Sequence, residues 1–264
     1  MLNSKELAYF SRISIIEMIT ASKAAHIGSS LSVIDILSVI YAYKLNNDRK
    51  NDVVLLSKGH AAAAMYAVLG NSGFNPKDKL LTYCQDGSSL GGHVTHFGNN
   101  GVEFSTGSLG HALSFGVGKA IAKTIDSENS RIFVVLSDGE CDEGSTWEAA
   151  LVAAHNGLSN LTVIIDRNNL QSLKSTEETL KLEPLDKKWE SFGWRVEKVD
   201  GHNHDNLLMK IQVKDNLTRS PNVIIANTIK GKGVSFMENK IEWHYKSPSP
   251  EQREQALKEL AKNR

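Results

Sequence analysis

Apolar residues recur at a spacing near three at the start of the chain, at Leu7, Phe10, Ile13, Ile16 and Ile19, which predicts an amphipathic helix. A second helix is expected over residues 32–45, SVIDILSVIYAYKL, after a polar, glycine-bearing turn, SKAAHIGSS. The period then changes. DVVLLSKGHAAAAMYAVLG begins as a short β-branched run and turns at Ser57, Lys58, Gly59 and His60 into an alanine-rich helix. Residues 85–111 are rich in glycine, polar residues and histidine and sustain neither period. A loop that long in a compact domain is usually functional or disordered. ALSFGVGKAIAKTID reads as a helix, IFVVL and LTVII as strands, and residues 172–183 as a polar loop. WRVEKVDG and VIIANTIKG are strand-like, and the last residues form a charged helix.

Apolar strands alternating with helices predict an α/β fold whose mainly parallel sheet is covered by helices on both faces. No internal repeat, low-complexity tract or linker interrupts the pattern. Residues 1–264 are therefore read as one domain, near the upper end of the usual size. Between IFVVL and LTVII the helix has its own signals. Ser145 with Glu148 fits a capping box, Trp147, Ala150, Leu151 and Ala154 share a face, and Gly157 can end it.

Charge narrows the class of partner. The 30 basic and 30 acidic residues cancel, so nothing electrostatic points to nucleic acid or an anionic membrane. Cys84 and Cys141 match no zinc spacing and are too few for a disulfide framework, which makes the cytoplasm the simplest location. The N-terminal stretch has acidic residues among its apolar ones and no continuous apolar core of a signal peptide. No uninterrupted apolar run of about 18 residues is present to cross a bilayer.

The chemistry gathers at two predicted strand ends, SDG and DRNN. In an open parallel sheet, ligands sit outside the carboxyl ends of strands at a switch in strand order. Asp138 and Asn168 are 30 positions apart, about the length of one βαβ unit, so adjacent strand ends are reasonable. A carboxylate, an amide oxygen and a backbone carbonyl make a hard-oxygen site of the kind magnesium occupies when it also binds phosphate oxygens. Gly139 leaves room for a diphosphate to approach the backbone. Asp, Asn and Gly also fill turns for conformational reasons alone, and spacing does not separate the two accounts.

SDGECDEGSTWEAALVAAHNGLSNLTVIIDRNNLQ resembles the thiamine diphosphate fingerprint in its transketolase version. AAHIGSSLS, LSKGHA, GVEFSTGSLGHALS, EPLDKKWESFGWRVEKVDGHN and ANTIKGKGVSFMENKIEWHYKSP are similar, in the same order, to the N-terminal section of transketolases. The resemblance implies the thiamine diphosphate-binding fold, with this cofactor and magnesium bound; calcium and manganese accept the same oxygen ligands. It implies Asp138, the Asn168 side chain and the Leu170 carbonyl as metal ligands, and Gly139 against the diphosphate. Gly107 and Leu109 match a loop lying against the cofactor's aminopyrimidine, and His60 a histidine near the diphosphate. His26, His93 and His244 match positions around the reactive carbon, where imidazoles donate to sugar hydroxyls and move protons near neutral pH; His244 also contacts cofactor. Glu143 matches a glutamate at the subunit interface, although a solvated carboxylate near a helix start is an equal account.

His96, His111, His155, His202 and His204 are read as structural or surface histidines, Trp243 as a packing residue that positions His244. Lys230 and Lys232 resemble a loop at the active-site mouth, against the plainer account of lysines solvating a turn. Ser137 stands where such sequences usually have glycine, and Tyr245 likewise, adding bulk beside His244.

The chain stops soon after WHYKSPSP, with a charged tail and no room for another domain of typical size. In this family a second, pyrimidine-binding domain supplies the glutamate that activates the cofactor. The expectation is an N-terminal subunit of a split transketolase, working with a C-terminal transketolase subunit in an assembly of two copies of each. It would transfer a two-carbon ketol group from a ketose or its phosphate to an aldose. The alternatives are a related thiamine diphosphate enzyme of a specialised carbohydrate pathway and a non-catalytic member of the fold; the histidines and the WH pair favour transketolase over a 2-oxo acid decarboxylating subunit. A dinucleotide-binding domain is weaker, because no G-x-G-x-x-G opens a helix after the first strand.

Overall fold

The computed structural model describes residues 3–212 and 219–262. Helices α1 (Ser4–Ser22) and α2 (Ile27–Asn46) lead into strand β1 (Val53–Leu56), followed by α3 (Ala62–Asn71) and α4 (Ala112–Ile125). Next come β2 (Ile132–Ser137), α5 (Gly144–His155), β3 (Leu161–Arg167), α6 (Thr176–Thr179) and α7 (Leu185–Ser191). Strand β4 (Arg195–Asp200), α8 (His204–Gln212), β5 (Asn222–Asn227) and α9 (Pro250–Lys262) complete the order.

All pairings in the five-stranded sheet are parallel, in the order β1-β2-β3-β5-β4. After β3 the chain crosses to the far edge and returns to insert β5. Successive strand side chains point to opposite faces, so each apolar run serves two cores. Val54, Leu56, Phe133, Val135, Ile164 and Ile224 face the layer of α1, α2, α3 and α8. Val53, Leu55, Ile132, Val134, Val163 and Ile225 face α4, α5 and α7. Edge strand β4 is half exposed, which matches its mixed sequence RVEKVD.

Several boundaries differ from expectation. Helix α2 starts at Ile27, because Ser29 and Ser30, expected in the turn, are buried helical residues. It is long and apolar enough to span a bilayer by length and composition, yet 94% of that window is buried inside the protein. Helix α5 has Glu143 as its N-cap with no side-chain cap. Ser145 instead donates to the Gly110 carbonyl at 2.7 Å, so the expected capping box does not form. The buried face of α5 is Thr146, Ala149, Ala150 and Ala153, and Leu151 is exposed. Gly157, at φ 60°, ends the segment as its αL preference suggests. The polar loop contains α6, closed by a capping box between Ser175 and Glu178. Helices α7 and α8 were not legible as periodic runs; each is anchored by two apolar residues four apart, Leu185 with Trp189 and Leu207 with Ile211.

Residues 85–111 lack helix and strand but are tied to the sheet. Val94 N donates to Gly59 O at 3.1 Å, Thr106 N to Val94 O at 3.0 Å, and Thr106 Oγ1 to Leu56 O at 2.7 Å. The segment thus crosses the carboxyl end of β1.

Candidate active site

The carboxyl ends of β1, β2, β3 and β5 run directly into the segments around Lys58, Asp138, Asn168 and Lys230. With His26 before α2, His93 and Gly107 from the crossing loop, and His244 near the end of the chain, they line one cavity of about 260 Å³. His60, Leu109, Gly139 and Leu170 line it as well. Every candidate residue from the sequence is there except Lys232, which lines a separate cavity with Asp35, and Glu143, which is exposed and packs beside Gly110, where a Cβ on that glycine would meet it at 2.8 Å.

The histidines form a cluster. The His26 ring lies 5.2 Å from His60, 5.9 Å from His93 and 5.0 Å from His244, centroid to centroid. His26 sits at φ 71° and its backbone N–H donates to the His244 carbonyl at 2.8 Å, joining two segments far apart in sequence. No side chain caps α2, so its first-turn N–H groups add partial positive charge there. His93 is carried by the crossing loop, where Tyr66 OH donates to its carbonyl at 3.0 Å.

Positive charge converges on the same space. Lys58 and Lys230 are buried, each with 1% exposure. Lys58 pairs with Asp166 at 2.5 Å. Lys230 Nζ donates to the Gln171 carbonyl at 2.8 Å, to Leu170 O at 3.3 Å and to His244 Nδ1 at 3.1 Å. Burial, with Lys58 next, pushes the Lys230 amine down to about 8. Burial and then neighbouring positive groups push His26 to about 4 and His244 to about 3, and hold His60 well below the ordinary histidine range. These imidazoles are neutral at pH 7, among ammonium groups that an anion would satisfy.

Asp138 is buried behind Gly139. Its Oδ1 accepts from Gly139 N at 2.8 Å, and its Oδ2 from Asn169 N at 2.7 Å and Arg167 Nη1 at 3.2 Å. Burial raises its carboxyl, with Arg167 opposing. Asn168 Oδ1 accepts from Leu170 N at 3.1 Å while its Nδ2 donates to Ser32 Oγ at 3.1 Å.

This donor set fits a magnesium ion and a diphosphate. Two hard oxygen side chains line the cavity with Leu170, whose carbonyl already accepts from a cationic ammonium, and the flanking lysines and imidazoles match phosphate oxygens. At Gly107 the nearest atom to an added Cβ would be His93 Cδ2 at 3.9 Å, so bare backbone faces open space. Gly139 lines the cavity too, and a Cβ there would meet the Gln171 side chain, with Cδ at 2.9 Å.

Sequence reasoning passed over Lys58, Ser29 and Gln171, which also line the cavity, and leaned toward a solvent role for Lys230 that its burial excludes. The signal for Lys58 was its place between a strand end and His60. His202 and His204 lie outside the cavity: both bond Asp35, at 2.7 Å and 3.0 Å. His96 pairs with Ser105 at 2.8 Å, His111 Nδ1 lies 2.8 Å from Leu109 O, and His155 is exposed. Trp243 is buried and packs on Phe236, with ring centroids 5.5 Å apart.

Comparison with known proteins gives the same picture. Residues 3–260 match the family described as transketolase, thiamine diphosphate binding domain. The chain is 43% identical over 242 residues to an apulose-4-phosphate transketolase subunit of Actinobacillus succinogenes, covering 89% of this chain and 87% of that protein. It is 37% identical over 243 residues to a 6-deoxy-6-sulfo-D-fructose transketolase subunit of Clostridium sp., covering 90% and 88%. Among solved structures, transketolase from Campylobacter jejuni superposes with a TM-score of 0.89 at 26% identity, covering 99% of this chain and 43% of that one. The chain therefore spans about two fifths of the solved transketolases it resembles.

Proposed function

The chain belongs to the transketolase thiamine diphosphate-binding domain family, and we propose that it is the diphosphate-binding subunit of a two-subunit transketolase working in the cytoplasm. The observation that carries this reading is the convergence of His26, His60, His93 and His244 with two buried lysines on one cavity that Asp138, Asn168 and Leu170 also line. The Asp138 carboxylate, the Asn168 amide oxygen and the Leu170 carbonyl hold magnesium. Lys58, Lys230 and His60 take the diphosphate, and the Gly107 backbone and Leu109 lie against the pyrimidine. Bound thiamine diphosphate supplies a nucleophilic carbon and an electron sink for cleaving the bond beside a ketose carbonyl.

The imidazoles act on the sugar. Lys230 has only donors, so its contact fixes His244 Nδ1 as an acceptor. The proton of neutral His244 then lies on Nε2, where it donates to a substrate oxygen. His26 and His93 orient and exchange protons with the substrate's hydroxyls.

The substrate class is a ketose carrying an anionic group, with a two-carbon unit passed to an aldose. Support comes from relatives named for a sugar phosphate and a sulfo-sugar, each matched over more than four fifths of its length. Their naming as subunits supports a separate partner chain; on this reading it brings the pyrimidine-binding domain, the assembly holds two copies of each chain, and Glu143 lies at an interface. Leu173 and Leu180, 74% and 58% exposed just after the Leu170 segment, are apolar surface for that partner.

Calorimetric titration of thiamine diphosphate with magnesium into the chain, alone and with its partner, tests this. Binding that needs the partner and is lost in Asp138→Ala is expected. No binding in the associated pair would leave a non-catalytic member of the fold.

A further inference from the structure

Behind Asn168 lies a buried polar network centred on Asp166, Ser32 and Thr228, none of which lines the cavity. Asp166, near the end of β3, is fully buried and receives the Lys58 ammonium at 2.5 Å, the Ser32 hydroxyl at 2.7 Å and the Thr228 hydroxyl. Ser32, on α2, is also fully buried, and its oxygen accepts from Asn168 Nδ2 at 3.1 Å.

A hydroxyl has one proton and two lone pairs, and an ionised carboxylate only accepts. The Ser32 proton therefore goes to Asp166, at 2.7 Å, rather than to the Thr228 oxygen at 3.2 Å, whose own proton goes to the same carboxylate, and only lone pairs remain to face Asn168. That forces the NH₂ end of the amide toward Ser32 and the oxygen end away from it, where Oδ1 accepts from Leu170 N at 3.1 Å. We propose that Ser32, held by Asp166, is a positioning residue that sets the Asn168 amide with its oxygen toward the metal, and so controls magnesium affinity. The inference rests on the cofactor reading above. Without the Ser32 acceptor a buried NH₂ loses its partner, and the flipped amide would present two donors to a cation.

A double-mutant cycle reads this coupling. Magnesium is titrated calorimetrically into the chain with its partner and saturating thiamine diphosphate. Ser32→Ala should weaken magnesium binding by about tenfold or more, the scale of outer-shell substitutions at metal sites. In an Asn168→Asp background the same change should cost less than about twofold, because a carboxylate has two equivalent oxygens and no orientation to lose. Thr228→Val removes another hydrogen bond to Asp166 and a 3.2 Å contact with Ser32 Oγ but leaves the Ser32–Asp166 and Ser32–Asn168 bonds in place, so magnesium affinity should hold within about twofold. If Ser32→Ala does not fold, Ser32→Cys, whose thiol is a weak acceptor, is measured in the same two backgrounds. An equal penalty in both backgrounds, or an equal loss in Thr228→Val, would show a merely structural role and overturn the inference. Absence of magnesium-dependent binding in the unsubstituted pair would instead overturn the cofactor reading and this inference with it.

Discussion

Lys230 Nζ lies 3.1 Å from His244 Nδ1, an ammonium donating to an imidazole inside a cavity with three further histidines. Holding imidazoles neutral has a cost in acid. His26 and His244 have folded pKa values of about 4 and about 3 against an ordinary 6.5, and His60 is also well below it. A depressed pKa gives stability that is present above the unfolded value and lost as pH falls through the folded one. The unliganded chain should thus lose thermal stability progressively from pH 6.5 toward pH 4, with a smaller slope in His26→Gln. Scanning calorimetry between pH 7 and 4.5 measures both slopes, and identical slopes would refute the assignment. In Lys230→Met, the His244 pKa followed by NMR should rise only part of the way, because burial is the larger cause.

Gly59 is fixed by a close approach of backbone. A Cβ there would lie 2.4 Å from the Thr106 carbonyl oxygen, and backbone cannot swing aside as a side chain does. Gly59→Ala should destabilise the fold by about 3 kcal/mol, the upper part of the usual overpacking range, and should shift the segment that carries His93 and Gly107. Chemical denaturation gives the first number; a loss below about 0.5 kcal/mol would mean that the loop adjusts freely.

These two sites show what a sequence discloses. The strand ends at Asp138 and Asn168 were legible because buried parallel strands are written as unbroken apolar runs and their last residues fall where ligands bind. Resemblance added the histidines, whose meeting requires the αL turn at His26 and the crossing loop, neither of which has a periodic signature. The buried lysines were not legible: a lysine in a polar turn reads the same whether it meets water or, like Lys230, two carbonyls. Ser145 illustrates the reverse error, a good local capping signal overridden by the Gly110 carbonyl of another segment.

Away from the active site, Asp35 joins several elements. Arg12 of α1 contacts both its oxygens, at 3.0 and 2.5 Å, and His202 and His204, at the turn from β4 into α8, complete the set. Burial pushes this carboxyl up, but Arg12 and the two histidines outweigh it and hold it well below the usual range. Asp35→Asn leaves a largely buried guanidinium without its counter-charge, and breaking such a pair costs about 3–5 kcal/mol. Equilibrium denaturation should show a loss of that size. Magnesium and thiamine diphosphate titrations should change little, since these four residues line a separate cavity of about 740 Å³. A large loss of cofactor affinity in a folded Asp35→Asn chain would mean that the two sites are coupled.

Arg167 opposes two effects on Asp138 that pH can separate. Its guanidinium favours the ionised carboxylate against burial, yet it would also repel a cation held by that carboxylate. A raised acid pKa means that metal affinity falls as pH drops through it. Arg167→Gln removes the charge and retains a donor for Thr176, which accepts from Arg167 at 2.7 Å. The Asp138 pKa should then rise further. Toward alkaline pH, magnesium affinity should be equal to or higher than in the unsubstituted chain, because the repulsion is gone. As pH falls it should be lost sooner than in the unsubstituted chain, because a carboxyl raised further takes up its proton sooner. Titrations of the magnesium-dependent binding of thiamine diphosphate across a pH series give the ratio of dissociation constants at each pH. An unchanged ratio would show that hydrogen bonds from Gly139 and Asn169, rather than the guanidinium, keep Asp138 ionised.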